Sequence, residues 1–339
     1  MSLDVAILFN EPELPADHPD YAQEAGVLES VEAVERALSA AGHCARRLPV
    51  RPDVPRLFDD LRRAARPDAV FNLFEGFHGR GTGEGQVTGL LDLFGWPYTG
   101  SPAECLALVR DKPRAKWLLA GAGLSTPAAR LLDERGLPDE EYRRLLETGP
   151  WIVKPAHEDA SLGIDRDSVV ETPDAFARQV ERVAQKFGAV LAEQFIAGRE
   201  FNVGIVALPE PRALPLAEIE FAAGVAGGWN IVTYEGKWFA ESAECVGTPV
   251  RCPAQVEPEL ARRIEAVALA AFQATGCRDY ARVDLRVNSA GEPFILEVNG
   301  NPDIGPTAGL ARALAVAEID YDRFLVQLAE QATARRVGI

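Results

Sequence analysis

The chain has 339 residues, 47% of them hydrophobic and 25% charged, and a net charge of −16. That length exceeds one average domain and points to two or three packed subdomains of ordinary globular composition. The acidic balance argues against nucleic acid and anionic membranes as partners, because their phosphates would repel it, so an anionic substrate would need a local basic pocket.

Five scattered cysteines with no C-x-x-C pair read as reduced thiols of a cytoplasmic enzyme. The N-terminus reads as strand rather than signal peptide. No apolar run reaches the roughly 18 residues that span a bilayer. Leu3 to Phe9 is a buried strand in this reading. Glu24 to Ala41 is a helix with Val27, Val31, Val34 and Leu38 on one face and Gly42 as its stop. A strand from Ala69 to Phe74 precedes a Gly-rich loop that starts at His78. Strand, helix, strand and loop in this order predict an α/β domain with a parallel sheet, ending near Leu106.

Asp111-Lys112-Pro113 opens a helix, with Asp111 as cap and Pro113 in the first turn, that ends around Gly121-Ala122-Gly123. Short strands at Ala128–Leu132, Trp151–Lys154, Ser168–Val170 and Val190–Phe195 predict a small α+β middle domain. Longer strands follow at Phe201–Leu208, Leu214–Ile219, Ala281–Val287 and Phe294–Val298. Helices are expected at Pro258–Thr275 and Tyr321–Ala334. Ala222–Ala243 lacks periodicity and reads as a long loop, a common form for a functional lid.

Tyr280 to Pro302 is the most informative stretch. Strict alternation puts Arg282, Asp284 and Arg286 on one face of the first strand. In the second it puts Phe294, Leu296 and Val298 on one side and Ile295, Glu297 and Asn299 on the other. A hairpin turning between Ala290 and Gly291 pairs Asp284 with Glu297 and Arg282 with Asn299. Like charges opposed across a ladder are destabilising, so a cation must offset them. Asp, Glu and Asn oxygens suit Mg²⁺, and a bridging carboxylate suits two ions. The alternative is a solvated face on which Arg282 and Arg286 neutralise the acids.

Asp279-Tyr280-Ala281-Arg282-Val283-Asp284 and Leu296-Glu297-Val298-Asn299-Gly300-Asn301-Pro302 resemble the metal-binding end of the ATP-grasp superfamily, and specifically the D-alanine–D-alanine ligase family. His78-Gly79-Arg80-Gly81, Gly95 to Ser101, Asp111-Lys112, Val153-Lys154-Pro155, Ser161-Leu162-Gly163, Glu193 to Glu200, Tyr234 to Lys237 and Cys252-Pro253-Ala254 agree in order, so the match covers roughly residues 65 to 310. The resemblance implies an ATP-grasp fold, α/β and α+β: an N-terminal parallel-sheet substrate domain (1–106), a central domain (107–199) and a C-terminal mixed-sheet catalytic domain (200–339). It implies an ATP- and Mg²⁺-dependent ligase, two ions or Mn²⁺ in their place, that makes an acyl phosphate and joins it to an amine. Lys112, Lys154 and Lys237 would contact phosphates, with Lys237 on the closing lid. Glu193, Phe195, Ile196 and Leu296 would frame adenine, Leu296 only if its strand twists. Glu200 would take the ribose, and Asp284, Glu297 and Asn299 the metal. Arg282 and backbone N–H groups near Asp303 to Gly305 would face the oxyanion. Ser161, His78, Trp238, Asp303 and Gly305 fall at the substrate end.

That end departs from the family pattern. Ala160-Ser161 stands for paired serines, Lys237-Trp238 for Lys-Tyr, Gly83-Glu84 for Glu-Asp, and Asp303-Ile304-Gly305 for Gly-Met-Thr. Glu24 is the choice for the first substrate's ammonium, with Glu29 as the alternative. The expected substrates are amino acids or small peptides, with D-alanine accepted but not uniquely preferred. A ligase of a specialised pathway and a non-catalytic ATP-binding regulator are the alternatives, and the assembly, a homodimer among the options, is open.

Overall fold

The computed structural model describes residues 2–15, 21–77, 83–158, 161–239 and 241–335. Three sheets follow one another along the chain. In the first, β1 (Asp4–Asn10) lies between β2 (Cys44–Val50) and β3 (Ala69–Leu73), parallel to both. Val5 to Leu8 are fully buried, which explains the continuous apolar run. β2 and the helix Val54–Arg63 were not expected from the sequence. β2 is an edge strand carrying Arg46 and Arg47, a protected edge with no apolar alternation to read. The single helix expected over 24–41 is two, Tyr21–Ala25 and Val27–Ala40, separated at Gly26. The C-terminal helix Tyr321–Thr333 returns to this sheet, where Phe324 and Leu328 share a core with Val31, Val34, Leu38 and Phe71.

The second sheet is antiparallel, in the order β4 (Ala129–Leu132), β7 (Val190–Gln194), β5 (Trp151–Pro155), β6 (Val169–Val170). Each strand is within a residue of its expected ends. Helices Asp139–Leu146 and Pro173–Phe187 cover it through Tyr142 and Phe176, packed beside Trp151.

The third sheet runs β11 (Val250–Arg251), β10 (Ala217–Ile219), β8 (Arg199–Ala207), β12 (Tyr280–Val287), β13 (Pro293–Asn299), with β9 (Pro211–Ala213) also paired to β8. Helix Pro258–Ala274 buries Ile264, Ala268 and Phe272 against Val283, Leu285 and Ile295. The strand expected over 214–219 starts only at Ala217, since Pro215 has no N–H to give a ladder. The chain enters β8 through Gly198, at φ +147°, where a Cβ would lie 1.9 Å from the Val287 carbonyl oxygen. The segment expected as loop over 222–243 holds a 3₁₀ turn, Val225–Gly228, and a short helix, Tyr234–Trp238, capped by Thr233. No described helix is long and apolar enough to cross a membrane.

Asp284 pairs with Glu297 and Arg282 with Asn299, as the hairpin argument requires. The register then slips, so Leu285 opposes Ile295 and Leu296 is left over as a bulge. This corrects the strict alternation. Ile295 is fully buried in the core, whereas Leu296 and Glu297 both line the same cleft.

Candidate active site

Two adjoining cavities, of about 550 Å³ and 360 Å³, share Arg282, Glu297, Lys237 and Asn202. The larger lies between the second and third sheets. Lys112, Lys154, Glu193, Phe195, Ile196, Glu200 and Leu296 all line it, together with Ser161 and Asp284. Ser161 adopts φ +60° in the turn before Gly163, where a Cβ would come within 2.8 Å of both Phe187 and Pro155. The bulge at Leu296 is what brings this side chain into the lobe, so no special strand twist is needed.

Charge in this lobe is layered. At the back, the buried Glu193 carboxylate has Lys116 Nζ 2.8 Å from one oxygen and Lys154 Nζ 2.7 Å from the other. The Lys116 contact is an ion pair whose geometry is off the hydrogen-bond line. Burial pushes the Glu193 carboxyl up, but Lys116 and Lys154 outweigh it and hold it below the ordinary value. Burial lowers the Lys116 ammonium, against the pull of Glu193. Lys116 was not singled out in the sequence; its only signal was the turn-and-a-bit spacing from Lys112 on one helix. Beside this group, Arg286 donates from Nε and Nη2 to Glu200 Oε2 at 2.9 and 2.7 Å, donates to the Ile196 carbonyl, and stacks 4.7 Å from the Phe195 ring centroid. Burial pushes the Glu200 carboxyl up in spite of Arg286.

At the junction of the lobes, Arg282 donates bidentately to Asp284, at 2.8 and 2.9 Å, and comes within 4.0 Å of Glu297. Asn202 Nδ2 adds a 2.7 Å bond to Asp284. Lys112 Nζ donates to the Glu158 carbonyl at 2.6 Å and lies 3.7 Å from Glu297. Burial raises the Glu297 carboxyl, but Lys112, Lys154, Arg282 and Lys237 outweigh it and bring it down to about 2. Among the described residues, no three His, Cys, Asp or Glu side chains converge on one point as a ready-made metal site. The donors at hand are two carboxylates paired across the ladder and the Asn299 amide oxygen, which fit a hard cation in place of the Arg282 contact.

The smaller lobe is lined by Glu24, Glu75, Glu84, Trp238, Asn299, Asn301 and Asp303. Glu24 is 5% exposed, and one of its oxygens accepts the backbone N–H groups of Glu13 and Leu14. Glu29 is exposed and lines neither lobe, so of the two acids only Glu24 faces the cavity. Glu75 opens to cavity water yet has protein packed around it; this enclosure, then Asp303 and Glu84, push its carboxyl up to about 8. Glu75 was missed because a lone acid after a strand carries no pattern. Gly305 lines neither lobe, and its N–H is already bonded to Asp303 at 2.7 Å, which takes it out of the expected oxyanion donors. His78 and Ala160 lie outside the described residues.

The family model for the D-ala D-ala ligase C-terminus matches residues 120–330. An uncharacterised protein, y4sG, of Sinorhizobium fredii is 33% identical over 292 residues, 83% of this chain and 82% of its own. A D-alanine–D-alanine ligase of Marinobacter nauticus is 34% identical over 319 residues, 94% of this chain and 90% of its own. Among solved structures, the Bacillus anthracis D-alanine–D-alanine ligase complexed with ATP superposes with a TM-score of 0.75 at 21% identity, covering 98% of each chain. The VanG D-Ala:D-Ser ligase of Enterococcus faecalis gives 0.76 at 20%, covering 98% of this chain and 100% of its own; both likenesses concern the fold. The chain thus belongs to the D-alanine–D-alanine ligase family and is an ATP-dependent ligase of the ATP-grasp fold that forms a C–N bond.

Proposed function

We propose that this ligase activates the carboxylate of one amino acid as an acyl phosphate and joins it to the amine of a second, accepting D-alanine without requiring it at both positions. The observation that carries the reading is the approach of Lys112 and Arg282 to Glu297, at 3.7 and 4.0 Å, where the two lobes meet, with Lys154 and Lys237 lining the same cleft. Adenine would rest against Phe195, Ile196 and Leu296 in the larger lobe, with Glu200, steadied by Arg286, at the ribose. Lys112 and Lys154 would hold the phosphates, Lys154 being aimed by Glu193. Mg²⁺ bound through Asp284, Glu297 and Asn299 would neutralise phosphate charge. Glu24 would take the first ammonium through the oxygen that its backbone bonds leave over.

A carboxylate oxygen of the first amino acid forms the new bond to the γ-phosphorus, and ADP leaves. The second amine, in its neutral form, then attacks the carbonyl carbon, the bond from that carbon to the phosphate oxygen breaks, and the proton shed by nitrogen leaves with the phosphate. Charge builds on the former carbonyl oxygen in that second step, and Arg282, freed from Asp284 when the cation takes that carboxylate, would be the donor that meets it. The helix bearing Lys237 and Trp238 would exclude water from the acyl phosphate. A cytoplasmic setting supplies both ATP and free amino acids.

Phosphate release measured with ATP, Mg²⁺ and a panel of D- and L-amino acids, singly and in pairs, tests this. Turnover with D-alanine and with at least one larger or cationic partner is expected. Exclusive use of D-alanine at both positions would refute the substrate claim, and no amino-acid-dependent release would refute the ligase claim.

A further inference from the structure

We propose that Asn301 is a positioning residue that locks the acidic wall of the smaller lobe to the strand end that carries Glu297 and Asn299. Its Nδ2 donates to the Phe74 carbonyl at 3.0 Å and to Glu84 Oε1 at 3.1 Å. Its Oδ1 accepts the Tyr280 hydroxyl at 3.1 Å. Its backbone N–H donates to Asn299 Oδ1 at 3.0 Å. The side chain therefore uses both amide hydrogens and its oxygen at once, and the amide cannot be flipped, since that would turn an oxygen onto a carbonyl and a carboxylate.

The partners make this a link in the chemistry rather than a packing detail. Phe74 directly follows β3 and precedes Glu75, and Glu84 opens the helix Glu84–Phe94; both acids line the smaller lobe. On the other side, Asn301 follows β13 by two residues and steadies Asn299 directly. A second tie lies nearby: Gly100 N–H donates to Asp279 at 2.7 Å, and Arg278 Nε donates to the Gly100 carbonyl at 2.7 Å. The first and third sheets thus stay joined when Asn301 is altered, and what changes is the placement of Glu75 and Glu84 relative to the reacting end of β13.

The role in amino-acid placement rests on the function proposed above, so the test has one arm that does not need turnover. N301D keeps the volume but turns two donors into acceptors facing a carbonyl and a carboxylate; N301A removes the bonds without adding charge. Losing two bonds, one to a charged group, predicts at least about a tenfold rise in KM for D-alanine, with KM for ATP within about twofold at saturating Mg²⁺. Hydrogen exchange at 74–77 and 84–94 should quicken in both variants. Adding E84Q to N301D lets the new amide at position 84 donate to the new carboxylate, and should recover exchange protection and part of the KM. Equal shifts in both KM values, unchanged exchange, or no recovery with E84Q would overturn the proposal. If the unaltered enzyme takes no D-alanine, the substrate reading fails, and exchange and its recovery alone decide the role of Asn301.

Discussion

Replacing Lys116 by methionine probes how the larger lobe keeps a lysine aimed at phosphate. Lys116 is 5% exposed and Glu193 is 1% exposed, so the pair exchanges charge with protein rather than water. At 2.8 Å their gross attraction is about 6 kcal/mol for an effective dielectric near 20. Desolvation of both groups and repulsion between Lys116 and Lys154 offset much of that. Breaking a buried pair usually costs about 3–5 kcal/mol because it strands the partner. Here Lys154 still neutralises Glu193, so K116M should cost less, roughly 2–4 kcal/mol, or about 8–30 °C in melting temperature for a unit the size of the one containing the second sheet. E193Q makes the opposite change, leaving two buried ammoniums without the carboxylate they share, and should cost more than K116M. KM for ATP should rise in both, since Lys154 loses its fixed partner or the lobe loses positive charge. Calorimetric melting and ATP titration of the two variants check the ranking. K116M melting within a degree of the parent, or E193Q proving the milder change, would show that the triad is not what orders Lys154.

Three further outcomes follow from single sites. D284N removes the charge that Arg282 grips bidentately, so Mg²⁺-dependent phosphate release should fall roughly 10²–10³-fold while circular dichroism stays that of the parent; full activity would remove Asp284 from the site. Glu75, raised from 4.5 to about 8, favours the folded chain while it holds its proton. That contribution is complete at acid pH and is lost as pH climbs through the window from about 5 to about 8, so the melting temperature of the parent minus that of E75Q should fall across it and level off above; parallel curves would refute the shift. G198A, with its Cβ 1.9 Å from a carbonyl oxygen, should fail to accumulate as soluble protein, whereas G123A, at φ +78° with nothing within 4 Å, should lose only about 1–2 kcal/mol of left-handed strain; equal expression of both would undercut the close approach at the entry to β8.

Legibility in the sequence tracked how each element is buried. β12 and β13 announced themselves because one face is core and the other alternates acids with Arg282 and Arg286, and the expected pairing of Asp284 with Glu297 is met although the turn is centred on Ala290, one half-residue earlier than expected, because the bulge restores the register. The same logic misplaced Leu296, because a bulge leaves no mark in residue pattern; it shows only when Ile295, not Leu296, is found in the core. β2 was unreadable for a different reason: an edge strand with two arginines and a proline has little apolar signal. The helix Pro173–Phe187 was passed over although Thr172 caps it and Phe176, Val180 and Val183 form its buried stripe. In the site, residues with a role in a sequence motif were found, whereas Lys116 and Glu75 carry no motif, and Asn301, though inside one, shows its partners Phe74 and Glu84 only in the fold.

Three of the residues that depart from the family pattern meet in one place in that fold. Trp238, Glu84 and Asp303 line the smaller lobe, while the residues matched to ATP line the larger one. Departures whose described side chains Trp238, Glu84 and Asp303 gather in one lobe fit a change in what that lobe holds. The chemistry of the change has a direction: Asp303 and Glu84 stand beside Glu75, close enough to raise its carboxyl, and a neutral side chain gives such a group no reason to persist. A cationic group there would offset three neighbouring acids at once and draw Glu75 back toward its ordinary value. Phosphate release with lysine-like or ornithine-like partners should therefore exceed that with alanine by several fold at pH 7, and E75Q should narrow that gap more than it lowers turnover with D-alanine. A preference for alanine that E75Q leaves untouched would mean the acids of the smaller lobe serve the protein and not the substrate.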